Sequence, residues 1–195
     1  PNVGEKQIMS GPDSTPKKKT RIDLINMGGP YDLDSFGPFL ERVFEDREII
    51  QLPLHRWLGP YIVRRRTPKL EKLYDAIGGG SPIRTWTEKL GAGRVERRDA
   101  RSPETAPHAA YIGFRYTPPF SRDALQAMHA DGVERAVAFS QYPQYSCATS
   151  GSSLNDLWKS CRDEGLETQF SWSLIDRWPT HPGFLLSIAA LIRRS

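Results

Sequence analysis

The pattern of hydrophobic positions along this chain alternates between the short apolar runs of strands and the wider spacing of amphipathic helices. Short apolar runs bounded by turn-forming residues are typical of strands, and four of them occur, at 22–26, 110–116, 135–140 and 169–175. The first run is followed by apolar residues at i, i+3, i+4, i+7 and i+8, the spacing of a helix with one buried face: Phe36, Phe39, Leu40, Val43 and Phe44. This alternation predicts the α/β fold class with a parallel sheet.

The same pattern predicts helices later in the chain. Ser121 is expected to cap one helix, and 183–193 is expected to form the last one. Between them, Ser153 and Asp156 form a capping-box-like start for a helix with Cys161 on its apolar face. Ligands of open α/β sheets bind beyond the carboxyl ends of the strands. The residues at these ends are Asn26, Met27, Arg115, Tyr116, Tyr142 and Trp178.

Composition and charge indicate an ordinary globular protein. The chain has 195 residues, enough for one domain with a core or for a large half of a two-domain enzyme. Its 27 basic and 23 acidic residues give a net charge of +4, and because no nucleic-acid motif accompanies the basic clusters, nucleic acid is not an expected partner. Two cysteines are too few for a disulfide framework. Residues 1–20 are expected to be a disordered lead-in to a domain over 21–195.

Six motifs occur along the chain in this order: Asn26-Met27-Gly28-Gly29-Pro30, Arg65-Arg66-Thr67-Pro68-Lys69, Gly78-Gly79-Gly80-Ser81-Pro82-Ile83, Gly113-Phe114-Arg115-Tyr116, Gln141 to Asn155, and Asp176-Arg177-Trp178-Pro179-Thr180-His181. Together they resemble the ferrochelatase family, in its animal or mitochondrial type. The resemblance implies insertion of ferrous iron into protoporphyrin IX, the last step of haem synthesis. It also implies a Rossmann-like chelatase domain, the first of two. Because the chain ends at Ser195, we expect the N-terminal half of the family, without the second domain.

The resemblance assigns porphyrin binding to Arg66, Tyr74 and Ser81. A guanidinium offers a fork of donors suited to a propionate, and hydroxyl groups complete such a set. Without the resemblance, a solvated helix face is the better interpretation of 64–66, and the glycines before Ser81 are equally a plain turn ahead of a helix.

Four residues are implied to act in catalysis. The family places Met27 against the porphyrin, and Arg115 and Tyr116 in the active-site pocket. His181 is the candidate for accepting a pyrrole proton, since a neutral imidazole is a base near physiological pH. Taken singly, a methionine is more often core filler and a histidine more often structural. The remaining histidines are expected at the surface: His55, His108 and His129.

Cys147 matches one ligand of the [2Fe-2S] cluster that animal-type members of the family carry. Such a cluster needs four thiolates, and the family's other three lie in its C-terminal tail, so the cluster is expected only in the full-length form. Cys161 is not one of them and is interpreted as a small buried hydrophobe.

The apolar segment 52–63, interrupted by Pro53 and Pro60, leads into the basic run 64–66. It resembles the hydrophobic lip around the family's active site, and such a segment suits shallow insertion beside anionic headgroups. A helix pair packed on the sheet is the alternative. The resemblance further implies a homodimer and a peripheral location on the matrix side of the mitochondrial inner membrane.

Three hypotheses on function follow. The first is ferrochelatase activity in the full-length protein. The second is a non-catalytic module that binds porphyrin or a partner, since part of the family's catalytic set is absent from this sequence. The third is a non-functional truncation. It is favoured by Arg97 and Arg98, which replace an apolar pair of the family and would be costly if they faced the core.

Overall fold

The computed structural model describes residues 20–47, 49–50 and 55–194, without the side chains of 55–57. Four strands form one parallel sheet in the order β2-β1-β3-β4: β1 Thr20–Asn26, β2 Ala110–Phe114, β3 Arg135–Ser140 and β4 Ser171–Ile175. The helices are α1 Phe36–Glu45, α2 His55–Asp75, α3 Ile83–Arg101, α4 Ser121–Ala130, α5 Ser152–Asp163 and α6 Pro182–Arg194. The predicted α/β class and parallel sheet are confirmed.

The sheet has a different apolar layer on each face. Successive residues of a strand point to opposite faces, so Ile25 joins the cluster under α4 and α5 while Leu24 packs with Ile22 and Phe139 on the other face. Helix α3 approaches that second face closely at Gly91. A Cβ atom added to this glycine would lie only 3.1 Å from the Cβ atom of Ala110. The layer under α4 and α5 is the largest core cluster: Ile25, Leu125, Met128, Val133, Ala136, Ala138, Leu154, Leu157, Cys161, Leu166 and Phe170.

Helix α2 runs without a break through two prolines, so the interruption predicted at Pro60 is wrong. Pro53 lies outside the described residues. Proline removes a backbone donor and normally breaks a helix interior. Here the helix is held by packing against α1, in a cluster of Phe36, Leu40, Phe44 and Val63 with Ile62, Leu70 and Tyr74 at its edge.

Both predicted caps are wrong. Phe120 is the residue before α4, and its N–H donates to the Asp123 carboxylate over 2.7 Å, while Ser121 donates its hydroxyl to Asp156, also over 2.7 Å. Helix α5 continues directly from a π-helical turn, Cys147–Gly151. Because that turn precedes Ser152, there is no free helix start for Ser153 and Asp156 to cap.

His108 is buried, so the predicted surface position is wrong. Its backbone N–H and its Nδ1 atom lie 2.8 and 2.6 Å from the same oxygen of Asp99, and its Nε2 atom lies 3.0 Å from the Thr105 hydroxyl. These hydrogen bonds lower the pKa of Asp99. The residue ties the end of α3 to the start of β2. The sequence pattern did not predict this contact, because Asp99 lies nine residues before His108.

Arg97 and Arg98 are exposed, since α3 turns Thr87 and Gly91 toward the sheet instead. The free-energy cost of burying these two arginines in the core, considered from the sequence, therefore does not arise.

Asp23, in the middle of β1, is fully buried, and neither carboxylate oxygen has a hydrogen-bond partner among the described residues. Burial disfavours the charged form and raises the pKa of Asp23 from 3.8 to about 7. In the unfolded chain the carboxyl group regains an ordinary pKa. Between these two values the folded protein holds a proton that the unfolded chain releases, so stability falls as the pH rises.

We expect this group to remove about 1.4 kcal/mol of stability per pH unit between roughly pH 4 and pH 7. Urea unfolding at pH 5 and pH 7 measures it as the difference between the wild type and Asp23→Asn, which has the same shape without the titration. Equal pH slopes in the two proteins would contradict the prediction. Asp23→Leu is expected to be more stable than the wild type at pH 7, because no charge remains to be buried.

Candidate active site at the carboxyl end of the sheet

Three loops meet where β1, β2 and β3 end. The N–H groups of Arg115 and Tyr116 donate to the carbonyls of Asn26 and Met27 over 3.0 and 3.1 Å. The backbone N–H of Met27 donates to the Tyr142 hydroxyl over 3.0 Å. Parallel strands end at the same edge of a sheet, and the structure accordingly brings these strand-end residues together. Strand β2 ends at Phe114, so Arg115 and Tyr116 follow the strand instead of closing it.

The loop after β1 has a shape that glycine allows. Gly28 has a φ of 76°, in the left-handed region that other residues rarely adopt, and its N–H donates to the side chain of Asn26 over 3.2 Å. Next to it, a Cβ atom on Gly29 would lie 2.7 Å from the hydroxyl oxygen of Ser81. The N–H of Ser81 in turn donates to the Pro30 carbonyl over 2.6 Å. Close backbone approach therefore carries Ser81 to the loop of Met27.

Asp46, one residue beyond α1, organises the polar part of the site. Its carboxylate accepts hydrogen bonds from Nε and Nη2 of Arg115, at 2.7 and 2.6 Å, and from the Tyr116 hydroxyl. Arg115 also donates through Nη1 to the Ser152 carbonyl over 2.7 Å, and its Nη1 lies 3.5 Å from the Asp156 carboxylate. The Asp46–Arg115–Tyr116 network thus ties α1, the β2 loop and α5 together.

The network fixes the protonation of its members. Burial and the hydrogen bond to Asp46 raise the pKa of Tyr116 to about 12, so its hydroxyl stays protonated and acts as a donor. Burial alone would lower the pKa of Arg115, but its interactions with Asp46 and Tyr116 outweigh burial and raise the pKa. Tyr116 therefore does not serve as a base near neutral pH, and much of the charge of Arg115 is balanced by Asp46.

The residues predicted to bind porphyrin lie on one stretch of chain, from α2 to the start of α3. Arg66 is exposed on α2. Tyr74, near the end of that helix, is half-buried and packs edge-on against Phe36, with ring centroids 4.5 Å apart. Ser81 is half-buried, and its hydroxyl accepts from the Ile83 N–H over 3.4 Å.

His181 is exposed in the turn between β4 and α6. Its N–H donates to the Trp178 carbonyl over 3.2 Å, and the Trp178 indole donates to the Ser140 carbonyl over 2.9 Å. The side chain lines a cavity of about 540 Å³ with Phe139 and Trp178, whereas Arg115 and Tyr116 do not line it. The predicted catalytic residues therefore belong to two neighbourhoods, one around Asp46 and one around Trp178.

Cys147 is exposed in the π-helical turn, and Cys161 is buried on α5. Burial raises the pKa of the Cys161 thiol to about 11, as expected of a small buried hydrophobe. Within the described part of the chain, no three His, Cys, Asp or Glu side chains are grouped as metal ligands.

The family model described as "Ferrochelatase" matches residues 19–195. The chain belongs to the ferrochelatase family. Three relatives are named "Ferrochelatase, mitochondrial". The Dictyostelium discoideum protein is 55% identical over 170 residues, which cover 87% of this chain and 40% of the relative. The Gallus gallus protein is 49% identical over 180 residues, 92% and 45%, and the Homo sapiens protein is 52% identical over 165 residues, 85% and 39%. The chain thus spans about two-fifths of the length of these ferrochelatases.

Membership of the ferrochelatase family confirms the resemblance drawn from the six motifs. No helix in the described residues has both the length and the apolar character needed to cross a membrane. Sequence analysis missed Asp46 and Ser152, two residues that accept hydrogen bonds from Arg115. The one available signal for Asp46 was a carboxylate two residues after the apolar stripe of α1, which ends at Phe44.

Proposed function

We propose that the complete protein containing this chain is a ferrochelatase, which inserts ferrous iron into protoporphyrin IX to form protohaem. The observation that carries the proposal is the identity of 49–55% to proteins named ferrochelatase, over 85–92% of this chain. Ferrous iron is the substrate of this lyase reaction. Residues 1–20 are proposed as the lead-in and 21–195 as the N-terminal chelatase domain of a two-domain enzyme.

The porphyrin is proposed to lie at the carboxyl edge of the sheet. Arg66, Tyr74 and Ser81 are the proposed partners of its propionates, and the exposed position of Arg66 supports this because a carboxylate can reach it. Met27 is proposed to contact the ring. Its half-buried position at the strand-end loops supports this role.

The reaction requires the loss of two pyrrole protons. His181 is the proposed acceptor of a pyrrole proton, since its exposed imidazole is accessible to a ligand. Arg115 and Tyr116 are proposed to hold the pocket in shape through Asp46, which both contact. In this role Tyr116 donates a hydrogen bond and takes no proton from the substrate, as its pKa of about 12 requires.

The described residues do not fit a [2Fe-2S] cluster, which takes four thiolates, because Cys147 is exposed but the thiol of Cys161 is buried. Cys147 is proposed as one ligand in the complete protein, with three others supplied from elsewhere in it.

The complete protein is proposed to be mitochondrial and to sit as a homodimer on the matrix side of the inner membrane. Exposed Leu58 and Tyr61 on α2, followed by the basic residues 64–66, support contact with a membrane surface.

The proposed function is tested by assaying the complete protein for protohaem formation with and without Arg66→Gln. Loss of a charged hydrogen bond to a propionate is expected to raise the KM for porphyrin about tenfold, with a smaller change in kcat. Lys72→Gln is the matched control, an exposed charge on the same helix that is expected to leave KM unchanged. Wild-type protein that forms no protohaem would overturn the proposed function. An unchanged KM in Arg66→Gln would contradict only the role of Arg66 in binding a propionate.

A further inference from the structure

Two serine hydroxyl groups that the proposed function does not use lie between the loop of Met27 and residues 176–181, the His181 turn. Ser140 ends β3, and Ser150 belongs to the π-helical turn that follows. Both side chains are fully buried, and their hydroxyl oxygens are 2.8 Å apart. Burying a polar group is costly unless it is hydrogen-bonded, so the partners of this pair show which segments it holds together.

The direction of the hydrogen bonds in this pair is set, because a hydroxyl group has one hydrogen to donate. Ser150 donates to the carbonyl of Asp176 over 3.1 Å, so Ser140 is the donor in the hydrogen bond between the two serines. The Ser140 hydroxyl oxygen accepts in turn from the backbone N–H of Tyr142 over 3.3 Å. A directed series of hydrogen bonds therefore runs from the loop after β3 to the His181 turn.

At its other end this series reaches the loop of Met27. The Tyr142 hydroxyl accepts from the backbone N–H of Met27 over 3.0 Å. Met27 and His181 belong to different neighbourhoods of the site. They are connected through Tyr142 and through the two buried hydroxyl groups of Ser140 and Ser150.

Further hydrogen bonds tie the His181 turn to the same part of the chain. The backbone N–H of Trp178 donates to the Pro143 carbonyl over 2.8 Å, and its indole donates to the Ser140 carbonyl over 2.9 Å. The N–H of His181 donates to the Trp178 carbonyl over 3.2 Å. Because the His181 side chain is exposed, the backbone of this turn decides where the imidazole lies.

We propose that Ser140 and Ser150 are positioning residues for His181, and that their hydrogen bonds hold its imidazole in place relative to the loop of Met27. The inference rests on the proposed function, which assigns proton transfer to His181 and contact with the porphyrin ring to Met27. Removing the Ser150 hydroxyl leaves the Asp176 carbonyl without this donor. A small displacement of a catalytic group is enough to lower a rate strongly.

The test is a double-mutant cycle in the complete protein, measured as kcat for protohaem formation. Ser150→Ala is expected to lower kcat about tenfold and to leave the KM for porphyrin unchanged, because the substrate still binds and only the base is displaced. In the His181→Asn background the same substitution is expected to change kcat by less than about twofold, since the group that it positions is already gone. If Ser150→Ala does not fold, Ser150→Cys takes its place, because a thiol is close in volume and is only a weak donor.

Ser121→Ala is the matched control for loss of a buried serine hydroxyl. Ser121 is buried and donates to Asp156 over 2.7 Å, so its hydrogen bond joins α4 to α5 and does not involve the His181 turn. Its effect on kcat is therefore expected to be the same with and without His181. An equal loss of kcat from Ser150→Ala in both backgrounds would overturn the proposal.

Amide hydrogen exchange gives a second readout that does not depend on activity. Ser150→Ala is expected to speed exchange at the hydrogen-bonded amides of Trp178 and His181 about tenfold, because the turn opens more often without its buried hydrogen bond. Ser121→Ala is expected to leave exchange at these two amides unchanged. Unchanged exchange in Ser150→Ala would also overturn the proposal.

The outcomes separate this proposal from the proposed function. If the wild type is active and Ser150→Ala lowers kcat equally with and without His181, the positioning role is wrong and the function stands. If His181→Asn keeps the kcat of the wild type, the roles of His181 and of the serine pair are both wrong, and the activity still stands. If the wild type forms no protohaem, the function is wrong, and hydrogen exchange alone decides whether the serine pair holds the His181 turn.

Discussion

Replacing Arg115 with alanine is expected to lower the free energy of unfolding by about 3 kcal/mol, because it removes a cation that contacts a buried carboxylate. The Asp46 side chain is only 7% exposed and accepts two hydrogen bonds from Arg115. The Ser152 carbonyl loses its donor as well. Urea unfolding at neutral pH measures the change.

A double-mutant cycle separates the ion pair from other effects. Asp46→Asn in the Arg115→Ala background is expected to recover part of the loss, since position 46 then carries no buried charge. Arg122→Ala is the control, as its side chain is 66% exposed and such substitutions usually change stability by about 0.5 kcal/mol or less. Equal stability of Arg115→Ala and wild type would contradict the structure of the network.

This result bears on how the activity of Arg115→Ala is interpreted. The resemblance to the family predicts a large loss of rate in this variant. The structure predicts that part of the loss comes from disorder of the loops that Arg115 ties together. Rates should therefore be compared at a temperature at which the variant is folded. Tyr116→Phe keeps the ring packed and isolates the contribution of the hydroxyl group, which contacts Asp46, Arg115 and Ser152.

Replacing His181 with asparagine is expected to lower kcat of the complete protein about a hundredfold, the lower range for loss of a general base. The free energy of unfolding is expected to stay the same, because the side chain is exposed. A steady-state assay of protohaem formation beside urea unfolding measures both quantities.

His129→Asn is the matched control, since His129 is exposed on α4. An unchanged kcat in His181→Asn would show that His181 does not take part in the proton transfer. A large loss of stability in that variant would instead assign it a structural role.

Some elements were predictable because local spacing decides them. The stripe from Phe36 to Phe44 predicts α1, and β3 begins and ends where the apolar run does, at Arg135 and Ser140. The parallel sheet follows from the alternation of such segments. Helix α2 was less predictable: Pro60 is a local break signal, and it is overridden by the packing of Val63 against α1, which no local pattern contains.

Local patterns were enough to predict the fold class, the family, and the position of Met27, Arg115, Tyr116 and Tyr142 at strand ends. These features depend on the order of residues and on the spacing of hydrophobic residues, both of which are local properties of the chain. Only the packed structure shows that Asp46 neutralises Arg115, that Asp23 is buried with no hydrogen-bond partner among the described residues, and that Arg94 of α3 lies over the Phe139 ring. Each of these depends on groups far apart in the chain, and their pairing and burial exist only once the layers have packed.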